Sequence, residues 1–192
     1  TGFLPLASIL IEPAKILFLN NAINFGVLAP IGAVEAEETG KSIMFMLESN
    51  PGPGLGLLVA FWLAGPKILR GSAPGAIVIH FLGGIHEIYF PYVLLKPIVV
   101  LAAIAGGATG VATFAATGVG LVATPSPGSI FAYMTMTPPG NHFGVLLGIA
   151  LSAAVSFVVA FFILKATSSG DDAADLDAAK AKSAEMKSGT AN

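Results

Sequence analysis

The sequence predicts an all-α polytopic membrane protein whose transmembrane helices are interrupted by broken or re-entrant hairpins. Three observations predict it. Hydrophobic residues make up 55% of the chain and charged residues 10%, with a mean hydropathy of +0.83, whereas a soluble domain carries about 25% charged residues. The stretch from Pro97 to Leu164 contains no Asp, Glu, Lys or Arg. That is room for two spans of roughly 20 residues and an irregular connection. The 23 glycines and 13 prolines fall partly in clusters, as they do where broken helices line a protein-enclosed cavity.

The elements follow in order. Phe3 to Phe18 is apolar but broken by Pro5, Glu12, Pro13 and Lys15; Glu12 and Lys15 are spaced to pair on a helix. Asn20 to Gly26 carries Asn20, Asn21 and Asn24, and the first and last share a helix face. Ala33 to Lys41 holds Glu35, Glu37, Glu38 and Lys41 and reads as an exposed loop or interfacial helix. Ser42 to Leu47 is short and apolar. Asn50-Pro51-Gly52-Pro53-Gly54 cannot continue a helix. Leu55 to Ala64 resumes an apolar run too short to span, so the pair reads as a re-entrant hairpin or discontinuous helix. Lys67 and Arg70 return to a polar surface.

Ala73 to Leu95 is not expected to form one regular helix. Gly83 and Gly84 permit close backbone approach, and Pro91 interrupts a helix. Ile98 to Ala123 is apolar and small, with Gly106, Gly107 and Gly110 to admit a neighbouring helix. Thr124-Pro125-Ser126-Pro127-Gly128-Ser129 is a second break, Ile130 to Met136 a short segment and Pro138-Pro139-Gly140 a turn. Phe143 to Leu164 is a full span closed by Lys165. Residues 1–165 thus form a membrane domain. Residues 166–192, rich in Ala, Ser, Asp and Lys without an aromatic, read as a disordered linker or tail with helical propensity over Asp175 to Met186. Lys165, Lys180, Lys182 and Lys187 place that tail in the cytoplasm.

Residues 1–165 carry six basic and six acidic groups, so the tail supplies the net charge of −2. The basic residues are scattered, which leaves nucleic-acid binding without support. Cysteine is absent, which excludes disulfides and a cysteine nucleophile within this chain. No metal-ligand spacing and no cofactor motif is present, so no cofactor is expected. The chemistry concentrates at His86 and Glu87. Glu87 is the one residue of Ala73–Leu95 charged at neutral pH, and an ionisable residue at membrane depth usually faces a cavity, partner or substrate. A salt bridge from Glu87 to Lys96 or another base is the structural alternative. His86 either binds substrate or satisfies a carbonyl; His80 is a weaker candidate and His142 an interfacial one. The amides of Asn20, Asn21 and Asn24 donate and accept, which suits a polyol, with capping or helix contacts as the alternative. Glu48 and Asn50 border a half-helix end that can offer backbone groups to a ligand. Tyr89, Phe90 and Tyr92 either stack on a sugar or form an interfacial belt.

Gly83-Gly84-Ile85-His86-Glu87-Ile88-Tyr89-Phe90-Pro91, with Leu19-Asn20-Asn21-Ala22-Ile23-Asn24 and the run from Glu48 to Gly56, resembles the membrane-embedded C component of mannitol-specific phosphotransferase-system (PTS) permeases. The resemblance runs in order to about Leu164. It implies that the chain is part of an enzyme II C domain in the bacterial cell membrane, its C-terminal portion and substrate-carrying half. It further implies a homodimer formed through N-terminal helices not in this chain. Mannitol is the implied substrate, contacted by the glutamate of the motif, Glu87, which is also the candidate catalytic residue. His86, Asn20, Asn21, Asn24 and Asn50 are the further candidate substrate-binding residues on their own chemistry and position. The implied partner is a phosphorylated B domain, fed by an A domain, whose phosphocysteine phosphorylates mannitol. The whole would be a protein-N(pi)-phosphohistidine–mannitol phosphotransferase complex in which this chain alone lacks phosphotransfer. The resemblance carries a histidine where this chain has Phe25, which puts that position outside the shared mechanism. Two other readings are an ion- or proton-coupled polyol carrier, with Glu87 as proton site, and a non-functional permease fragment.

Overall fold

A computed structural model describes residues 2–167 and 180–187. All regular elements among the described residues are helical, and the single β-contact is an isolated bridge between Ser42 and Leu121. Helix α1 (Ser8–Ile16) follows a 3-10 turn at Leu4–Ala7. Helix α2 (Asn20–Ile23) runs through a π-helical turn (Asn24–Leu28) into α3 (Ala29–Thr39), so the acidic segment is a helix. Helix α4 is Gly52–Ala64, α5 Lys67–Arg70 and α6 Ala73–Ile77. The signature segment then breaks repeatedly, as its composition predicts. A π turn (Val78–Leu82), the Gly83-Gly84 kink and a 3-10 turn (His86–Tyr89) lead into α7 (Phe90–Leu95). Helices α8 (Val100–Thr117), α9 (Ile130–Met136) and α10 (His142–Ala166) complete the order. In the tail, residues 180–187 are helical, overlapping the segment of helical propensity; residues 168–179 and 188–192, on which most of the disorder expectation falls, lie outside the described residues.

The break at Asn50–Gly54 is shorter than its composition suggests, because α4 already begins at Gly52. Pro53 sits in the first turn, where a helix has no partner for that N–H and the fixed φ is already helical.

Among the described residues, Pro97–Thr117 and His142–Ala166 are long and apolar enough to cross a membrane. Helix α10 packs along both α4 and α8. Its buried stripe is Gly144, Val145, Gly148, Ile149, Ser152, Ser156, Ala160 and Leu164, while Phe143 and Phe162 point outward, 78% and 67% exposed. Small residues inside and large apolar ones outside is the arrangement of a lipid-facing helix, since lipid gives Phe no reason to hide. A Cβ on Gly56 would lie 2.1 Å from the Ala153 carbonyl oxygen, and one on Gly106 2.7 Å from that of Ser152. Glycine is what lets these backbones approach. Ser152 Oγ donates to the Gly106 carbonyl at 2.8 Å and Ser156 Oγ to that of Pro53 at 2.8 Å, which fastens α10 to both neighbours.

Candidate substrate-binding cleft

Four chain segments converge on one polar cleft of about 120 Å³. They are α2 with the following π turn (Asn20, Asn21, Asn24, Phe25), the strand of chain before α4 (Glu48, Ser49), the glycine kink (Gly84, His86, Glu87) and the second break (Pro125, Ser126, Pro127, Gly128). Each wall lies where a helix starts, stops or changes pitch. There backbone groups lack helical partners and side chains leave the helix cylinder at unusual angles.

The Asn20 wall is set by a tight reversal. Phe18 has φ of 60°, a left-handed conformation that costs a bulky residue energy. The Phe18 ring packs edge-on against Phe90 at 5.2 Å, which holds the strained turn. The chain then re-enters as α2, with Asn20 and Asn24 each 7% exposed and Asn21 exposed. Asn24 Oδ1 is buried without a hydrogen-bond partner, so an acceptor there is open to a hydroxyl donor.

The opposing wall depends on Gly84, whose φ of 77° favours glycine. A Cβ there would lie 2.5 Å from the Ser129 nitrogen and 2.8 Å from Pro127 Cβ, so the kink presses directly on the second break. His86 Nε2 donates to the Gly128 carbonyl at 3.1 Å and is 5% exposed. Of the two readings of His86, carbonyl satisfaction is thus met, while the ring also lines the cleft. Glu87 is half-buried, and Asn20 Nδ2 donates to its Oε1 at 3.1 Å. Residues 67 apart in sequence therefore form one amide–carboxylate unit. Lys96, the alternative partner of Glu87, donates from Nζ to the Thr167 carbonyl at 3.2 Å. Glu48, on the segment before α4, lines the same cleft as Glu87.

Of the residues singled out in the sequence, Asn20, Asn21, Asn24, His86 and Glu87 meet in the cleft, with Glu48 beside them. Asn50 does not line it. Its Oδ1 accepts from the Gly52 backbone nitrogen at 2.9 Å and its Nδ2 donates to Ser152 Oγ at 3.2 Å, so its amide is spent on starting α4 against α10. Neither role foreseen for the aromatics fits either. Tyr89 and Phe90 are fully buried, and the Tyr92 and Ser72 hydroxyls share a hydrogen bond at 2.8 Å. Sequence reasoning marked Pro125–Gly128 only as a break and set Phe25 aside, yet both line the cleft. A Pro-Gly cluster between apolar runs is the signal that could have suggested a wall.

A helical membrane bundle enclosing a cleft of amides and carboxylates has the architecture of a membrane permease component. The sequence profile of the family described as Phosphotransferase system, EIIC matches residues 3–107, which include three of the four walls. The chain is 60% identical over 184 residues to the PTS system mannitol-specific EIICB component of Geobacillus stearothermophilus, covering 96% of this chain and 39% of that protein. It is 58% identical over 186 residues to the component of the same name in Bacillus subtilis (strain 168), with 97% and 38% covered. Against the PTS system mannitol-specific EIICBA component of Escherichia coli (strain K12) the identity is 54% over 184 residues, with 96% and 29% covered. The chain therefore spans less than two fifths of the length of each of these relatives. No solved structure matches. The chain belongs to the phosphotransferase-system EIIC family, the membrane permease component of that system.

Proposed function

We propose that this chain binds mannitol in the cleft and carries it for phosphorylation by a B-domain phosphocysteine. The observation that carries the reading is the Asn20–Glu87 pair at 3.1 Å inside a cleft whose other polar walls are amides and a second carboxylate. A hexitol is a ladder of hydroxyls, each both donor and acceptor. Asn20, Asn21 and Asn24 complement both functions, and the Glu87 carboxylate has acceptor capacity beyond the one bond it makes to Asn20. The names of the relatives, mannitol-specific EIICB and EIICBA, support both the hexitol and the B-domain donor.

The chemistry assigned to Glu87 is that of a general base. The hydroxyl oxygen attacks phosphorus and forms the new O–P bond. The S–P bond breaks, and cysteine leaves as thiolate. The hydroxyl proton passes to Glu87. The rest of the cleft holds the reacting hydroxyl in line, which is the larger share of such catalysis.

A cysteine placed at Ser126, an exposed rim residue of the cleft, tests the location. In the complete permease, mannitol is expected to slow its reaction with a small thiol reagent, and glycerol at the same concentration is not. Equal rates with and without mannitol would remove the cleft as the binding site.

A further inference from the structure

His80 takes no part in the chemistry above and does not line the cleft, yet it is wholly buried in the π turn that precedes the glycine kink. A buried polar ring costs stability unless it is hydrogen-bonded. Its Nε2 lies 3.0 Å from the Pro51 carbonyl oxygen. A carbonyl can only accept, so Nε2 carries the proton and donates. Nδ1 is left as an acceptor, buried without a well-formed hydrogen bond. The same Pro51 carbonyl accepts the Leu55 N–H at 3.1 Å, the bond that closes the first turn of α4. The α4 backbone is shaped to admit the ring: a Cβ on Gly54 would lie 2.5 Å from His80 Nε2 and 2.8 Å from Tyr89 Cδ1.

From this anchor His80 reaches two residues that do line the cleft. Its ring stands against that of His86, centroids 4.5 Å apart, and His86 in turn donates to Gly128 on the second break. Its backbone carbonyl accepts the Gly84 N–H at 2.9 Å, which closes the kink. The ring also meets Tyr89 edge-on at 5.4 Å. His86 and Tyr89 are the first and last residues of the 3-10 turn that carries Glu87, so both ends of that turn pack on one imidazole. The stack continues from Tyr89 to Phe90 at 5.0 Å and from Phe90 to Phe18 at 5.2 Å, beside the reversal that presents Asn20.

We propose that His80 is a positioning residue for the cleft: its hydrogen bond to the Pro51 carbonyl hangs both ends of the His86–Tyr89 turn from the start of α4, and so sets Glu87 against Asn20. This rests on the cleft being the polyol site, as proposed above. His80 does not touch substrate. It acts through the two rings packed on it and through the kink that its carbonyl closes.

The test is made on the complete permease in membranes, by equilibrium binding of labelled mannitol, reading Kd and the number of sites per folded protein separately. Met and Gln are alike in length and volume and neither has a ring. His80→Met and His80→Gln therefore differ mainly in the amide that can still donate to Pro51. Neither strands that carbonyl, which keeps its bond from Leu55. His80→Met is expected to raise Kd by about 10-fold or more, because small displacements are felt strongly at an oriented site. His80→Gln recovers part of that loss, and the number of sites per folded protein stays unchanged in both. Gly54→Ala leaves the imidazole in place but drives a methyl against Nε2. It raises Kd in the same direction, and it carries the test where His80→Met does not fold. A merely structural role loses sites and thermal stability and leaves the remaining Kd as in wild type. A wild-type Kd in folded His80→Met or Gly54→Ala overturns the proposal. An equal rise in the Met and Gln variants also overturns it, since the hydrogen bond would then have no part. Failure of the polyol reading shows elsewhere, as a cysteine placed at Ser126 that mannitol does not protect, so the two failures are distinguishable.

Discussion

Replacing Glu87 by glutamine is the sharpest single perturbation of the cleft. The change is isosteric. Gln Oε1 can still accept from Asn20 Nδ2, which now reaches Glu87 Oε1 at 3.1 Å. The other carboxylate oxygen becomes an NH2 group, a donor where the site offered an acceptor, and the negative charge is lost. A hydrogen bond to a charged group is worth roughly 1.5–3 kcal/mol, so removing it costs about 10- to 150-fold in mannitol affinity. The fold is expected to survive, because Glu87 is half-buried and its partner keeps a bond. The assay is equilibrium binding of labelled mannitol to membranes holding the complete permease, with folded protein quantified independently. Affinity equal to wild type would refute the placement of a polyol hydroxyl on Glu87. Loss of sites without a change in Kd would refute it equally, since that is a folding defect.

Other outcomes follow from the same geometry. Gly56→Ala forces a methyl to 2.1 Å from the Ala153 carbonyl oxygen and should destabilise the domain by about 3 kcal/mol or more, whereas Gly75→Ala, with nothing within 4 Å, should be neutral or slightly stabilising; thermal unfolding in detergent compares them. Asn50→Ala strands the Gly52 N–H and one partner of Ser152, and should cost about 1–3 kcal/mol in stability while leaving mannitol Kd unchanged, read in the same two assays. A cysteine at Ser183, in the helical segment 180–187, should resist an impermeant thiol reagent in intact cells and react after permeabilisation. Ready labelling of intact cells would reverse the assigned orientation of the tail.

Local chemistry made much of the fold legible in the sequence. The last span, the short helix after the second break, the irregularity of Ala73–Leu95 and the Glu12–Lys15 spacing all follow from residues within a turn or two of one another. Gly106, Gly107 and Gly110 also read correctly as points of close approach: their missing Cβ atoms make room for Ser152, Glu12 and the Asn50 amide. Long-range convergence was not legible. Nothing local says that Asn20 meets Glu87, or that His86 reaches Gly128, 42 residues on. Nor does an i, i+3 pair announce whether it faces water or the interior; α1 buries it because Gly107 leaves a space. Asn50 was misleading because an amide at a helix start serves a ligand or the helix equally well by type. Only its two partners decide for the helix.

The central claim is that the cleft binds mannitol for phosphorylation by an external donor rather than for ion-driven accumulation. The chain contains no cysteine to hold a phosphoryl group. The direct measurement uses vesicles containing the membrane part of the permease and labelled mannitol. Phosphorylated B domain is present in one set, and an imposed proton or sodium gradient without B domain in the other. Mannitol phosphate is expected only in the first set, with no uphill accumulation in the second. Concentrative uptake of unmodified mannitol driven by the gradient would contradict it and favour a coupled carrier with Glu87 as its proton site.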